Sequence, residues 1–205
     1  DDIEGVGIRI VAPGVYFQTN RIIDTIYLKK LKIASEKAPL HLEAVFEEIE
    51  KIKKFFGKDK RIVGVSDSEF HFSMPQMAKN YAINSHDAEK YEIYRYGYHG
   101  ISAKSIIRKL EKRNVLPNRI ILCHIGGGVS VMAIKNGKSI DTSMGFTPLE
   151  GVVMANRVGD IDSGAIIYLA KELKLKGIKL LQYLNKKCGL FGLSNGLSND
   201  IRELF

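Results

Sequence analysis

The sequence contains no long apolar run. Its longest uninterrupted hydrophobic stretch is Ala165 to Ala170, far short of the roughly 20 residues that a bilayer-spanning helix needs. The first four residues, Asp1-Asp2-Ile3-Glu4, are acidic and lack the basic and apolar regions of a signal peptide. The chain does not begin with methionine, so the natural start is left open. We expect a soluble, cytoplasmic protein with no membrane partner.

Cysteine is scarce. Cys123 and Cys188 are far apart and match no metal-ligand spacing. This excludes a disulfide-rich scaffold and a zinc module, and it favours two reduced thiols, with Cys123 in a buried strand.

Positive charge is in excess, with a formal net charge of +8. Such a balance can suit nucleic acid, an acidic membrane surface or small anions. The lysines of stretches such as Lys51 to Lys54 and Lys171 to Lys179 alternate with apolar residues, as on the solvated face of an amphipathic helix. There is no aromatic-and-basic RNA motif, zinc-finger spacing or dense arginine block. Nucleic acid is therefore the weaker alternative, and we expect no nucleic-acid partner.

Predicted strands and helices alternate along the chain, which indicates an α/β fold. Strands are predicted at Ile8 to Val11, Ile62 to Val65, Arg119 to His124, Val129 to Lys135 and Lys138 to Asp141, with a hairpin turn at Asn136-Gly137. Helices are predicted from Leu42 to Phe56, after Pro75, after Ser102 with Ile106, Ile107 and Leu110 facing inward, and over Leu149 to Asn156, Asp162 to Leu173, Ile178 to Lys186 and from near Ser198.

Three adjacent glycines between two predicted strands give the sharpest local signal, in the stretch His124-Ile125-Gly126-Gly127-Gly128-Val129-Ser130. Glycines let successive backbone N–H groups converge on one anion without a side chain in the way. No Gly-Lys-Ser/Thr follows, so this is not a Walker loop. The pattern suggests a phosphate-binding hairpin, although a plain tight turn explains it equally well.

Two further stretches lie on either side of that signal, Arg95 to Ser102 and Asp141 to Gly151. Alone, the stretch Asp141 to Gly151 is typical of a loop with helix-capping residues. Together and in this order, the three stretches resemble the acetate kinase (acetokinase) family, including its butyrate kinase relatives. The similarity extends from Gly7-Ile8-Arg9-Ile10-Val11 to Asp200-Ile201-Arg202.

The resemblance implies an actin-like, ribonuclease H-type ATPase fold of two α/β lobes. Residues 1–115 would form the later part of the first lobe, and residues 116–205 the early part of the second. The family's opening Asn-x-Gly-Ser-Ser-Ser phosphate loop and closing Gly-Gly-Ile-Gly-Glu-Asn nucleotide loop have no counterpart in the sequence. We therefore expect the chain to correspond to the central part of the family, with both lobes incomplete and little activity in isolation.

The implied reaction is direct in-line transfer of the γ-phosphoryl group of ATP to a short carboxylate, with Mg²⁺, giving ADP and acyl phosphate. The residues that match the family's catalytic positions are Arg9, Asp67, His99 and Arg157. Those that match the wall of its acyl pocket are Val11, Leu40, Tyr98 and Pro148. Those that match its nucleotide site are His124, Gly126, Gly127, Gly128, Asp200 and Arg202. Asp67 is the one position expected near magnesium.

Some positions depart from the family pattern. Ile8 and Leu42 replace polar residues near the acyl site, and Gly127 replaces an asparagine near the phosphates. Acetate remains the first expectation, with propionate and butyrate as alternatives. A non-catalytic remnant that binds nucleotide or anions is the second reading of the sequence. The complete family members imply a homodimer.

Overall fold

The computed structural model describes residues 3–57 and 60–205; the acidic start at Asp1 and Asp2 lies outside the described residues. The strands are β1 (Gly5–Ile10), β2 (Arg21–Ile22), β3 (Arg61–Ser66), β4 (Arg119–Ile125), β5 (Val129–Lys135) and β6 (Lys138–Thr142). The helices are α1 (Thr25–Lys37), α2 (Pro39–Phe56), α3 (Gln76–Lys79), α4 (Ser85–Tyr91), α5 (Gly100–Lys112), α6 (Ser163–Glu172), α7 (Gly177–Lys186), α8 (Gly189–Leu193) and α9 (Ile201–Leu204). Short 3₁₀ helices cover Val15–Gln18 and Glu69–Ser73.

The first sheet has the strand order β1-β3-β2. β1 runs parallel to β3, with Arg9 opposite Val65, and β2 is antiparallel to β3. Helix α1, which the sequence analysis did not predict, begins where Asp24 Oδ1 accepts a hydrogen bond from the Tyr27 backbone N–H at 2.7 Å. A hydrophobic core joins this sheet to α1 and α2, and it includes Ile10, Tyr27, Leu31, Leu42, Ile49 and Ile62.

The second sheet is an antiparallel meander in the order β4-β5-β6. The predicted hairpin is confirmed: Asn136 and Gly137 both have positive φ, at 50° and 73°, as a two-residue turn between twisted strands requires. Helix α5 packs on this sheet through Ala103 and Ile107. It begins at Gly100 rather than Ser102, and Ile106, predicted to face inward, is exposed.

Strand β4 is not the buried strand that its apolar sequence predicted. It lies at the edge of the sheet and only Leu122 is fully buried, whereas Ile121 is 68% exposed and Cys123 is also exposed. A continuous apolar run does not distinguish a strand covered on both faces from one covered on a single face. The prediction of a buried Cys123 was therefore wrong.

The helix predicted over Leu149 to Asn156 is also absent; this stretch is irregular. Gly151 has φ of 114°, and a Cβ at that position would lie 2.6 Å from the Ser143 carbonyl oxygen. Such a backbone cannot continue a helix. The apolar residues that suggested helical spacing serve the core instead, because Met154 is fully buried against Tyr96, Tyr98 and Met144.

The later helices agree with prediction more closely. Helices α6 and α7 match the predicted ranges within a few residues, and α3 follows Pro75 as expected. Helix α9 begins at Ile201 with Asp200 as its N-cap, not near Ser198. Within residues 3–57 and 60–205, no helix is long and apolar enough to cross a membrane.

Candidate active site

The site is built first around a buried carboxylate. β1 and β3 are parallel, so their carboxyl ends meet at one edge of the sheet, where ligands commonly bind in α/β proteins. Asp67, directly after β3, is only 1% exposed. Its Oδ2 accepts hydrogen bonds from Arg9 Nη2 and from the His99 backbone N–H, each at 2.8 Å. Arg9, from β1, keeps more than half of its side chain exposed while it neutralises this carboxylate.

His99 is held at the start of α5 in an unusual backbone conformation. Its φ is 61°, and the next residue, Gly100, donates its N–H to the Asp67 carbonyl oxygen at 2.7 Å. The His99 ring is stacked on His124 with 3.9 Å between centroids. Burial, and then the neighbouring His124, lower the pKa of His99 to about 4. The imidazole is therefore neutral near pH 7.

Arg157 is supplied by the irregular segment that replaces the predicted helix. Its Nη1 donates to the Pro148 carbonyl oxygen at 3.2 Å. The segment is closed by a reciprocal pair, in which the Gly151 N–H donates to Asp160 Oδ1 and the Asp160 N–H donates to the Gly151 carbonyl oxygen. Burial, and then the nearby charge of Arg9, lower the pKa of Arg157, but a guanidinium stays protonated in proteins.

These groups converge on an open cleft of about 470 Å³. All four residues predicted to be catalytic line it: Arg9, Asp67, His99 and Arg157. Val11, Tyr98, Pro148, His124 and Gly128 complete most of the wall. Two positive side chains, a neutral imidazole and a small apolar wall together suit a short anion with an apolar end.

Leu40 is the one predicted pocket residue that does not line this cleft. It lies in the first turn of α2 and is half-buried. Ile101 and Ser102 line the cleft but were not predicted to do so. Their position directly after His99, at the start of α5, is the signal that could have identified them.

A larger cavity of about 1110 Å³ lies on the other side of the glycine hairpin. Gly126, Gly127, Asp200 and Arg202, four of the predicted nucleotide-site residues, line it. Arg157, predicted to be catalytic, lines it too. Lining residues that were not predicted from the sequence include Val153, Met154, Asn156, Asn185, Lys186, Leu190 and Asn199. Asp200 and Arg202 form an ion pair there, and hydrogen bonding from Arg202 lowers the pKa of Asp200 to about 2.

The triple-glycine hairpin separates the two cavities, and Arg157 lines both. The Gly126 N–H donates to the Gly128 carbonyl oxygen at 3.1 Å, which makes the turn tight. A Cβ on Gly128 would lie 3.1 Å from Arg157 Nη1 and 3.2 Å from His99 Nε2. A side chain at position 128 would therefore crowd the Arg157 guanidinium and the His99 ring, and each would have to shift by a few tenths of an ångström.

A magnesium ion is compatible with this donor set only if its other ligands are phosphates and water. The described ranges contain no cluster of three His, Cys, Asp or Glu side chains that could enclose a metal. Asp67 Oδ1 accepts no hydrogen bond from the described residues, and Asp67 lines the cleft. Mg²⁺ commonly binds in this way, through one or two carboxylates and substrate phosphates. Asp67 is the side chain that fits.

Comparisons with known proteins agree on one family. The model of the acetokinase family matches residues 1–205. The acetate kinase of Thermoanaerobacter pseudethanolicus is 42% identical over 99% of this chain, which covers 51% of that protein, and the acetate kinase of Brachyspira hyodysenteriae gives nearly the same values. A crystal structure of a propionate kinase from Francisella tularensis matches with a TM-score of 0.89 and 37% identity, over 98% of this chain and 52% of that one. The chain thus spans about half the length of the relatives it matches, and the predicted actin-like α/β fold class is confirmed.

Proposed function

The chain belongs to the acetokinase family, and from that premise we propose that the protein containing it transfers the γ-phosphoryl group of ATP to a short-chain carboxylate. The products would be ADP and an acyl phosphate. Acetate is the first candidate acceptor, and propionate is the second, because the matched relatives include both acetate kinases and a propionate kinase. Butyrate is the third.

One observation carries the proposal: Arg157 and the glycine hairpin border both cavities. The smaller cleft has the size and charge for a short carboxylate, and the larger cavity has room for a nucleotide. A phosphoryl group at the hairpin would lie between them, within reach of backbone N–H groups and of Arg157. Phosphoryl transfer requires mainly this alignment and positive charge.

In the proposed mechanism, Arg9 and Arg157 hold the carboxylate and the transferring group, since a planar guanidinium can donate two parallel hydrogen bonds to either anion. A carboxylate oxygen attacks the γ-phosphorus in line, and the bond to the oxygen that bridges the β- and γ-phosphates breaks. Neutral His99 donates a hydrogen bond to the phosphoryl oxygens. Asp67 keeps Arg9 and the His99 backbone in place through its two hydrogen bonds. A Mg²⁺ ion near Asp67 would neutralise phosphate charge.

Ile8 and Leu42, which depart from the family pattern, do not line the cleft proposed for the acid. Leu42 belongs to the first hydrophobic core and Ile8 packs against it, and neither lines the cleft. Their replacement of polar residues therefore acts on the support of the site, not on its wall. Val11, Tyr98 and Pro148 are the apolar side chains that an acyl tail would contact.

A hydroxylamine trap tests the proposal directly. The protein is incubated with ATP, Mg²⁺, hydroxylamine and acetate, propionate or butyrate in turn, and acyl hydroxamate is measured. We expect ATP-dependent product with at least one acid. Nucleotide binding without any hydroxamate would support the non-catalytic remnant instead. Steeply salt-dependent binding to arbitrary DNA, unaffected by ATP, would support the nucleic-acid alternative.

We also keep the predictions of a homodimer and of a cytoplasmic protein with no nucleic-acid partner as part of this proposal. Size-exclusion chromatography with light scattering measures the oligomeric state, and cell fractionation measures the location.

A further inference from the structure

Two histidines at the hairpin have the same arrangement. His99 Nδ1 lies 2.9 Å from Ser130 Oγ, and His124 Nδ1 lies 3.0 Å from Ser102 Oγ. The two rings are stacked with their planes 23° apart. Each Nε2 lies beside the hairpin: that of His99 near Gly128 and that of His124 near Gly126. In each imidazole, Nδ1 is therefore hydrogen-bonded to a serine hydroxyl and Nε2 lies beside the glycine hairpin.

The role of His99 depends on which nitrogen carries its proton. A neutral imidazole bears hydrogen on only one of its two ring nitrogens. With the proton on Nε2, His99 donates a hydrogen bond into a cleft that holds anions. With the proton on Nδ1, a lone pair would face the phosphoryl oxygens and repel them.

The surroundings of Ser130 select between the two tautomers. Ser130 is fully buried, and its hydroxyl has no hydrogen-bond partner among the described residues except His99 Nδ1. If Nδ1 carried the proton, the Ser130 hydroxyl would accept that hydrogen bond and its own O–H would be left buried without an acceptor. Such an unsatisfied donor is costly. The Ser130 hydroxyl must therefore donate to Nδ1, which places the proton on Nε2.

We propose that Ser130 is a positioning residue that fixes His99 as the Nε2–H tautomer, and so turns a neutral histidine into a hydrogen-bond donor toward the transferring phosphoryl group. The role in phosphoryl transfer rests on the proposed function, whereas the tautomer follows from the Ser130–His99 contact alone. The contact between Ser102 and His124 carries no such argument, because Ser102 is only half-buried and lines the open cleft, where water can pair with its hydroxyl.

Another buried histidine–serine pair supplies a matched control. Ser139 is fully buried and its Oγ lies 2.8 Å from His71 Nδ1, while His71 Nε2 lies 3.0 Å from the Tyr98 carbonyl oxygen. A carbonyl can only accept, so His71 carries its proton on Nε2 whether or not Ser139 is present. Ser139→Ala thus removes a comparable hydroxyl without affecting the tautomer of His99.

The test compares Ser130→Ala, Ser130→Thr and Ser139→Ala in the protein that contains this chain. Two-bond ¹H–¹⁵N correlation spectra of ¹⁵N-histidine-labelled protein report the tautomer of each ring. We expect Nε2–H for His99 in the unmodified protein, a substantial Nδ1–H population in Ser130→Ala, and recovery in Ser130→Thr. Acyl phosphate formation should lose about tenfold in kcat in Ser130→Ala, the worth of roughly one hydrogen bond, with both KM values within about twofold.

Three results would overturn the inference: Nδ1–H for His99 in the unmodified protein, an unchanged tautomer in Ser130→Ala, or a loss of kcat no larger than that of Ser139→Ala. The proposed function fails separately. A serine-dependent tautomer in a protein that forms no acyl phosphate would reject the kinase reaction and retain the positioning role.

Discussion

At the scale of single residues, the cleft combines charges with very different degrees of burial. Asp67 is nearly inaccessible, Arg9 is more than half exposed, and Arg157 is partly buried. The exposed part of Arg9 is available to a substrate, whereas its contact with Asp67 keeps the buried carboxylate compensated. Removing Arg9 therefore harms both binding and folding, and Arg157 gives the cleaner test of transition-state stabilisation.

We expect Arg157→Ala to lower kcat by about 10³-fold or more, because an arginine on the transferring phosphoryl group contributes that much in related chemistry. Arg157→Lys should recover only part of the loss, since an ammonium keeps the charge but not the planar fork. The measurement is acyl hydroxamate formation at saturating ATP and acid.

Arg108→Ala is the matched control for that experiment. Arg108 is exposed on α5 and lines neither cavity, so its replacement should leave the rate within about twofold. A loss of only a few-fold in Arg157→Ala would contradict the role assigned to Arg157.

A second residue-scale effect concerns His71, which is fully buried between Ser139 and the Tyr98 carbonyl. Burial lowers its pKa to about 4, whereas an unfolded histidine titrates near 6.5. As pH falls below about 6.5, the unfolded chain binds the proton first. The stability contributed by neutral His71 is therefore complete above pH 6.5 and is lost as pH falls toward 4.

From this shift, the free energy of unfolding should fall by about 2 kcal/mol between pH 7 and pH 5 on account of His71. Urea denaturation at a series of pH values measures it. In His71→Asn the slope between pH 7 and pH 5 should fall by about half, since His99 has the same direction of shift and remains. An unchanged slope in the variant would show that His71 is not the titrating group.

At the scale of elements, the segment that presents His99 depends on a glycine. Gly97 has φ of 72°, and a Cβ there would lie 2.6 Å from Thr142 Cγ2 and 2.7 Å from His71 Cδ2. Gly137, in the β5–β6 hairpin, has φ of 73° but no atom within 3.5 Å of its Cβ position. The two glycines share a backbone conformation but differ in the space available for an added Cβ.

Gly97→Ala should therefore destabilise the fold by roughly 2–5 kcal/mol, which combines left-handed backbone strain with overpacking. Gly137→Ala should cost only the strain, roughly 1–2 kcal/mol. Denaturant unfolding of the two variants gives the comparison. If both variants lost the same free energy of unfolding, the close contacts of Gly97 with Thr142 and His71 would not restrict the residue at position 97.

Elements with strong local signals were predictable from sequence. The Asn136-Gly137 turn requires two positive φ angles, and Asn-Gly supplies them, so the hairpin was recognised. Helix α1 was missed, although Asp24 as N-cap and the spacing of Tyr27, Leu31 and Ala34 carry its signal. The false helix over Leu149 to Asn156 has the opposite cause: apolar residues there fill a core in an irregular backbone that only tertiary contacts determine.

The site shows the same division. The charged groups and the glycine hairpin were predicted from the order of motifs and the family resemblance, since each residue alone has an ordinary structural explanation. The structure brings them together at the cleft, and their roles stay predictions. Ser130, Asn185 and Asn199 were not identified, since a serine in a strand or an asparagine near a helix end has many ordinary roles. Only the folded chain brings Ser130 to His99, 31 positions away in sequence.

At the scale of the whole molecule, the two sheets are joined at the site. Helix α5, which lies before the predicted lobe boundary at residues 115 and 116, packs its buried face on the second sheet. A further cluster joins Tyr96 and Tyr98 to Met144 and Met154 across that boundary. The division into residues 1–115 and 116–205 stays a prediction, and the residues that hold His99 belong to the contact between the two parts.

The arrangement of two cavities around one hairpin makes a last prediction about substrate preference. Val11 lines only the smaller cleft and Arg202 only the larger cavity. Val11→Ala should make room for a longer acyl tail and raise the ratio of kcat/KM for propionate over acetate by about fourfold, since a buried methylene contributes about 0.8 kcal/mol. Arg202→Ala should raise KM for ATP by about fivefold and leave that ratio unchanged.

Steady-state kinetics with both acids and varied ATP measure the two effects in one experiment. Val6→Ala on β1 and Arg113→Ala are controls of the same residue types that line neither cavity. If Val11→Ala changed KM for ATP, or Arg202→Ala changed the preference between acids, the assignment of one cavity to each substrate would be wrong. Separate responses would place the carboxylate and the nucleotide on opposite sides of the glycine hairpin, with Arg157 between them.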